Sequence, residues 1–305
     1  MGAPPATAEA ITVVATPVPL DAADPARTTL GLLRYLGGLH LRSDHPRFGG
    51  FSGLVVDREG RRLVAVSDLG LWFEAALVTG ADGRLAGLAE TRLRPLNDAA
   101  GRPLTKKVLA DAEALARLAD GSLLVGFEGR HRLLRYPRVG GAGEPYPAPP
   151  GIEAAPANAG IEALTRLADG RLLLVSEDFR TADGAAVRAW LGPPPWRPLA
   201  VVTSDGFLPT ALAALPDGDA LLVERRFPLL AIRLRRIAGR DIRPDARLAP
   251  KEIARFDGSL TFDNVEAASA RPGPGGETVL YLLSDDNQFV LQRTLLLAFA
   301  LPADR

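Results

Sequence analysis

The chain has 305 residues, 47% of them hydrophobic, and its 36 Lys and Arg balance 36 Asp and Glu. Zero formal charge without a basic run argues against a nucleic-acid partner, and the lack of cysteine removes disulfides and thiolate metal sites. No apolar run has the length of a membrane helix, so bilayer insertion is not expected, and the length suits one domain with a large core.

The start, Met1-Gly2-Ala3-Pro4-Pro5-Ala6-Thr7-Ala8, lacks the basic and apolar regions of a secretion signal. It reads like the small-residue tail left after a signal is removed, or like a truncated start, with a genuine cytoplasmic start as the lesser alternative. The expectation is a disordered tail over residues 1–20 and a single domain over 21–305. An apolar segment, Leu30–Leu41, follows.

A degenerate acidic hairpin then recurs five times. The copies begin Phe51-Ser52-Gly53-Leu54, Ala112-Glu113-Ala114-Leu115, Ile161-Glu162-Ala163-Leu164, Pro209-Thr210-Ala211-Leu212 and Val265-Glu266-Ala267-Ala268. In the first four, a turn dipeptide follows: Glu59-Gly60, Asp120-Gly121, Asp169-Gly170 and Asp217-Gly218. An apolar run and an acid come next, at Asp68, Glu128, Glu177 and Glu224. The fifth copy carries the insert Arg271-Pro272-Gly273-Pro274-Gly275-Gly276 and ends at Asp285-Asp286. A short apolar strand, a turn tolerant of positive φ and a Leu/Val-rich return strand make a β-hairpin. Both ends of a hairpin lie at one sheet edge, so Ser52/Asp68, Glu113/Glu128, Glu162/Glu177 and Glu266/Asp285 are expected near one another, on one face of the molecule. Asp111–Ala119 and Gly160–Ala168 have helix propensity, but Asp-Gly stops each within about nine residues, shorter than a stable helix wants. The repeat decides for strands.

Spacings of 61, 49, 48 and 56 residues separate Ser52, Glu113, Glu162, Thr210 and Glu266. A unit near 50 residues fits a four-stranded propeller blade. From Glu266 through the C-terminus and on to Ser52 lie 91 residues, room for an extra unit joining Leu30–Leu41 to the run Phe289–Leu301. The fold expected is therefore an all-β, single-domain β-propeller of six blades, with five or seven as the lesser alternatives, closed by N- and C-terminal strands, which removes exposed sheet edges.

Several segments resemble the phytase-like family, described as "esterase-like activity of phytase". They include Phe48-Gly49-Gly50-Phe51-Ser52-Gly53-Leu54, Val64–Asp68, Asp111–Leu115, Phe127-Glu128 and Gly160–Leu164. Gly206–Leu212, Glu224–Phe227, Asp263–Glu266, Ser284–Asn287 and Gln292–Leu297 continue the set, so the resemblance covers about 42–301. Ala267-Ala268 stands where Gly-Leu is usual, and Gln288 where an aromatic is usual. The resemblance implies a bacterial propeller, usually exported and hence periplasmic or secreted, with acidic positions acting on phosphate esters.

Clustered carboxylates need a positive neighbour. One solution is Ca²⁺, which takes six to eight oxygen ligands; Glu113, Glu266, Asp68, Glu177 and Asp285 are the expected metal ligands, with Asn264 and Asn287 as added oxygen donors. The other is arginine, whose fork also grips phosphate; Arg130, Arg225 and Arg226 are the candidates. Glu162 and Glu128 are the expected catalytic carboxylates, and His131 is the expected proton donor. No Gly-x-Ser-x-Gly elbow is present and Ser52 has no evident histidine partner, against a serine esterase. Phe51, Trp72, Phe207 and Phe227 read as packing between blades, Lys106-Lys107 as a solvated pair, and Asp98 as turn chemistry. The function expected is Ca²⁺-dependent hydrolysis of a small phosphate ester or another anionic ligand. The alternatives are an exported non-catalytic binding module and a Ca²⁺-dependent lactonase or carboxylic ester hydrolase.

Overall fold

Each turn dipeptide reverses the chain. Gly60, Gly121, Gly170 and Gly218 have φ of +71°, +86°, +90° and +97°, and in the fifth copy Gly276, at +86°, takes the same place. Glycine adopts this left-handed backbone without the steric penalty of a Cβ. The strands on either side pair antiparallel in every copy, so the Ala/Leu runs at 112–117 and 161–166 are strands and not helices.

The computed structural model describes residues 8–303. Its strands form five sheets. Blade 1 runs outward from Phe51–Val56 through Arg62–Ser67 and Leu71–Thr79 to Leu85–Pro95. Blade 2 contains Ala112–Arg117, Leu123–Phe127, Arg132–Tyr136 and Glu144–Tyr146. Blade 3 contains Ile161–Arg166, Leu172–Arg180, Ala186–Gly192 and Arg197–Val202, with Arg247–Leu248 added in parallel at its edge. Blade 4 contains Leu208–Ala214, Ala220–Arg226, Ala231–Ile237 and Lys251–Phe256. The innermost strands touch in a closed ring, blade 5 meeting blade 1.

Blade 5 corrects the expectation of six. Its two inner strands, Asn264–Pro272 and Thr278–Asp285, belong to the fifth hairpin. Thr294–Leu301 then pairs with Leu33–Arg42, and Val14–Val18 lies outside them. The union of chain ends is the one expected, but it supplies the outer half of the fifth blade and no sixth unit. Each hairpin copy builds the inner half of one blade, so five copies make five blades. The surplus residues become edge strands, including Glu9–Ala10 on blade 1. The segment expected as a loose tail is thus partly paired: Val14–Val18 bonds along its whole length because it covers the otherwise open edge of Leu33–Arg42. Residues 1–7 of that segment lie outside the described residues.

Five apolar layers fill the gaps between neighbouring blades. Trp72 meets Tyr136 edge-on at 5.1 Å between blades 1 and 2, and Phe256 meets Phe299 at 5.7 Å between blades 4 and 5. Phe51, Trp72 and Phe207 are buried, as expected of packing residues. Phe227 is 54% exposed and stands at the rim of the propeller. Among the described residues, no helix is long and apolar enough to cross a membrane.

Candidate functional site: an acidic mouth of the central channel

One irregularity recurs in all five innermost strands. The pairing register slips by one residue at Ser52, Glu113, Glu162, Thr210 and Glu266, the second position of each hairpin copy. A bulge of this kind leaves one residue unpaired and re-aims its side chain. Ser52, Glu162 and Glu266 border the narrow axial channel, and Glu113 lies near enough to Glu162 and Glu266 to feel their charge. The bulges thus gather groups from separate blades at one end of the axis.

The return strands supply a second ring. The residue opposite the start of each bulge is Ser67, Phe127, Ser176, Glu224 or Ser284. The next residue along is Asp68, Glu128, Glu177, Arg225 or Asp285. The fourth position is therefore an arginine. Glu224, grouped with the acids on sequence, lies one residue earlier; it is fully buried and bonds Arg233 at 2.6 Å and Arg235 at 3.0 Å, a structural ion pair away from the mouth. A constant fifteen-residue interval from Glu113 to Glu128 and from Glu162 to Glu177 leads from Thr210 to Arg225, so this signal was present in the spacing.

Eight carboxyl groups interact here: Asp68, Asp111, Glu113, Glu128, Glu162, Glu177, Glu266 and Asp285. Two cations bond to them. Arg225 donates to Glu177 and Asn264 at 2.8 and 2.6 Å and also to Glu266. Lys107 bridges Asp68 at 2.8 Å and Asp111 at 2.5 Å, so it is not the freely solvated residue expected. A short helix, Lys107–Ala110, holds it just ahead of the blade 2 inner strand.

Such an excess of acid shifts proton affinities. Burial, then Asp285's proximity to Glu266, pushes Asp285 up to about 9. Burial pushes Glu128 up to about 7, although the Gly160 amide donates to it at 2.6 Å and opposes the rise. Glu113 and Glu162 are raised well above the usual carboxylate range, by burial first and by neighbouring carboxylates second. Glu177 and Asp68 are raised by burial too, with Arg225 and Lys107 respectively pulling the other way.

The remaining expected residues lie outside this cluster. Arg130 is exposed. Arg226 stacks over Phe207 at 4.9 Å. His131 Nε2 lies 3.1 Å from the Pro156 carbonyl and its ring packs against Gly160. Asn287 bonds Gln292, whereas Asn264 is inside the site and donates to Glu266 at 2.9 Å. Asp98 accepts from the Ala100 and Arg102 amides, as turn chemistry requires. Beside Asp68, a cleft of about 350 Å³ is lined by Arg47, Lys107, Pro46, Leu69 and Gln288. Arg47 drew no notice in the sequence because it belongs to no hairpin copy.

The donor chemistry suits a hard cation. Ser52 Oγ and Asp68 Oδ1 are buried without a partner, and the surrounding groups are carboxylate, amide and hydroxyl oxygens, the ligands Ca²⁺ prefers. Among the described residues, no three His, Cys, Asp or Glu side chains converge on one point.

Fold and site define an all-β propeller with an acidic axial mouth. A family model, Phytase-like, described as "Esterase-like activity of phytase", matches residues 46–288. The chain belongs to this phytase-like family. No curated protein matches it significantly. Among solved structures it is similar to a gluconolactonase from Xanthomonas campestris at 18% identity and TM-score 0.47, with 98% of this chain and 99% of that one covered. It is similar also to a catalytically inactive virginiamycin B lyase from Staphylococcus aureus bound to quinupristin, at 11% identity and TM-score 0.46, covering 95% and 100%. Likenesses this distant say nothing about ligand or chemistry.

Proposed function

We propose that the protein hydrolyses phosphate esters at the acidic mouth, with Ca²⁺ as its metal. The observation that carries this reading is the imbalance of eight interacting carboxyls against Lys107 and Arg225. Glu113, Glu266, Asp285 and Asp68, which are not gathered on one point as they stand, would draw together to hold the ion, with Ser52 as a neutral oxygen. When bound, it would offset negative charge on a phosphoryl group.

The chain's own residues supply the rest. The substrate phosphate sits in the cleft beside Asp68, where Arg47 and Lys107 provide positive charge. Water attacks phosphorus, the new O–P bond forms as the bond to the leaving oxygen breaks, and the water's proton passes to a carboxylate. Glu128 suits that role, since a group titrating at about 7 takes and returns protons at neutral pH. Glu162 stands close enough to Glu128 for their charges to interact, and so shapes the environment of that base. The test is release of inorganic phosphate from p-nitrophenyl phosphate by chelator-treated protein, with and without millimolar Ca²⁺. Ca²⁺-dependent release lost in Glu128→Gln supports the reading, and no release under any condition sinks it.

Arg225 favours a second reading. Its guanidinium already neutralises Glu177 and Glu266 from inside the fold, which fits a non-catalytic binding module. That protein would show no turnover, and its melting temperature would not respond to Ca²⁺.

A further inference from the structure

The opposite end of the axis carries a different chemistry. There the channel opens into a cavity of about 690 Å³ whose wall is built from the innermost strands of all five blades. Leu54, Leu115, Leu212 and Ala268 form an apolar floor. Around it stand five arginines, Arg58, Arg62, Arg117, Arg166 and Arg271, against one acid, Asp57. Arg62 is paired with Glu90 at 2.6 Å. Among the described residues the other four have no carboxylate partner: Arg117 bonds the Gly121 carbonyl, and Arg271 bonds the Pro272 carbonyl and the Tyr281 hydroxyl.

This vestibule is separate from the acidic mouth. Arg117 and Arg166 lie four residues beyond Glu113 and Glu162 on the same strands, roughly 13 Å at about 3.3 Å per residue. Between the two ends the axis narrows to a void of about 10 Å³ bordered by Leu54, Leu115, Leu164 and Leu212, which admits at most a water molecule.

We propose that the vestibule is a second binding site, for a small organic anion with an apolar body. Volume, apolar floor and a few converging polar groups are the marks of a ligand pocket. Unpaired guanidinium groups from separate blades favour carboxylate, sulfonate or phosphate at the rim. The floor rewards a hydrocarbon portion that inorganic anions lack. This site is independent of the phosphate-ester reading and stands or falls separately.

The test is calorimetric titration of the full chain at low salt with 1-naphthalenesulfonate, which carries both features and no hydrolysable bond. The expected result is one saturable site, weakened at least tenfold in Arg117→Ser/Arg166→Ser and unchanged in Glu162→Gln at the far mouth. Arg166→Ser alone, whose side chain makes no hydrogen bond or ion pair among the described residues, is expected to weaken binding several-fold and serves if the double variant is unstable. No saturable binding overturns the proposal, as does equal affinity in wild type and in the arginine variants. Inorganic sulfate binding as tightly as the naphthalene compound overturns the amphiphilic assignment.

Discussion

The guanidinium of Arg225 bonds Glu177 of the preceding blade at 2.8 Å, and it occupies in blade 4 the strand position that Glu177 itself holds in blade 3. One repeat position thus carries acids in blades 1, 2, 3 and 5 and a cation in blade 4. Burial lowers the proton affinity of Arg225, but Glu266, Glu177 and Glu162 more than restore it.

Arg225→Met leaves Glu177 and Glu266 without their shared cation. Breaking a buried ion pair from one side costs about 3–5 kcal/mol, so a large loss of stability at pH 8 is expected. Millimolar Ca²⁺ should recover part of it if the mouth accepts the ion. Thermal melts of wild type and variant, each with and without Ca²⁺, measure both effects.

Stability in the absence of divalent cations should fall as pH rises from about 5 to 9. Glu128 and Asp285 titrate at about 7 and about 9 in the fold, against ordinary values of 4.5 and 3.8. The folded chain therefore holds protons that the unfolded chain releases, so stability is full below the ordinary values and is lost through the raised ones. Asp120, bonded by Ser122 and Arg135, is shifted downward and acts only below about pH 4, outside this window. Urea midpoints at pH 5, 7 and 9 should decline in wild type and decline less in Glu128→Gln and Asp285→Asn. A midpoint that climbs over this range contradicts the acidic-mouth electrostatics.

Glu224 separates structural from site carboxylates. Glu224→Ala should cost about 3–5 kcal/mol by stranding Arg233 and Arg235, while any Ca²⁺-induced rise in melting temperature survives. Glu162→Gln should do the reverse, reducing the Ca²⁺ response with little loss of fold. Asp98→Asn, at an exposed turn, should leave that response intact. Equal responses in Glu162→Gln and Asp98→Asn would sink the shared-channel idea.

Much of this was legible because the repeat is physical. Each hairpin needed its turn glycine, its apolar strands and its bulge, so Ser52, Glu113, Glu162 and Glu266 could be placed at one face from spacing alone. The blade number differs from the six expected because the 91 residues from Glu266 round to Ser52 exceed one unit of about 50, while the strands beyond the fifth hairpin complete a sheet already begun. Sequence proximity also misled: Arg130, Arg226 and His131 follow site residues directly, yet strand alternation and a tight turn carry them elsewhere. Lys107 and Arg47 come from connections between blades, where no repeat announces them.

The shared fifth blade has a consequence for how the molecule comes into being. Leu33–Arg42 is made early, but its partner Thr294–Leu301 follows some 250 residues later. At roughly 5–20 residues per second of synthesis, that strand waits on the order of 12–50 seconds for its neighbour. Until then Tyr35 has no Phe299 to pack against, 5.3 Å away in the finished ring, and the edge is open to other chains. The nascent protein thus passes through an unclosed stage in which the edge of Leu33–Arg42 that later meets Thr294–Leu301 has no partner.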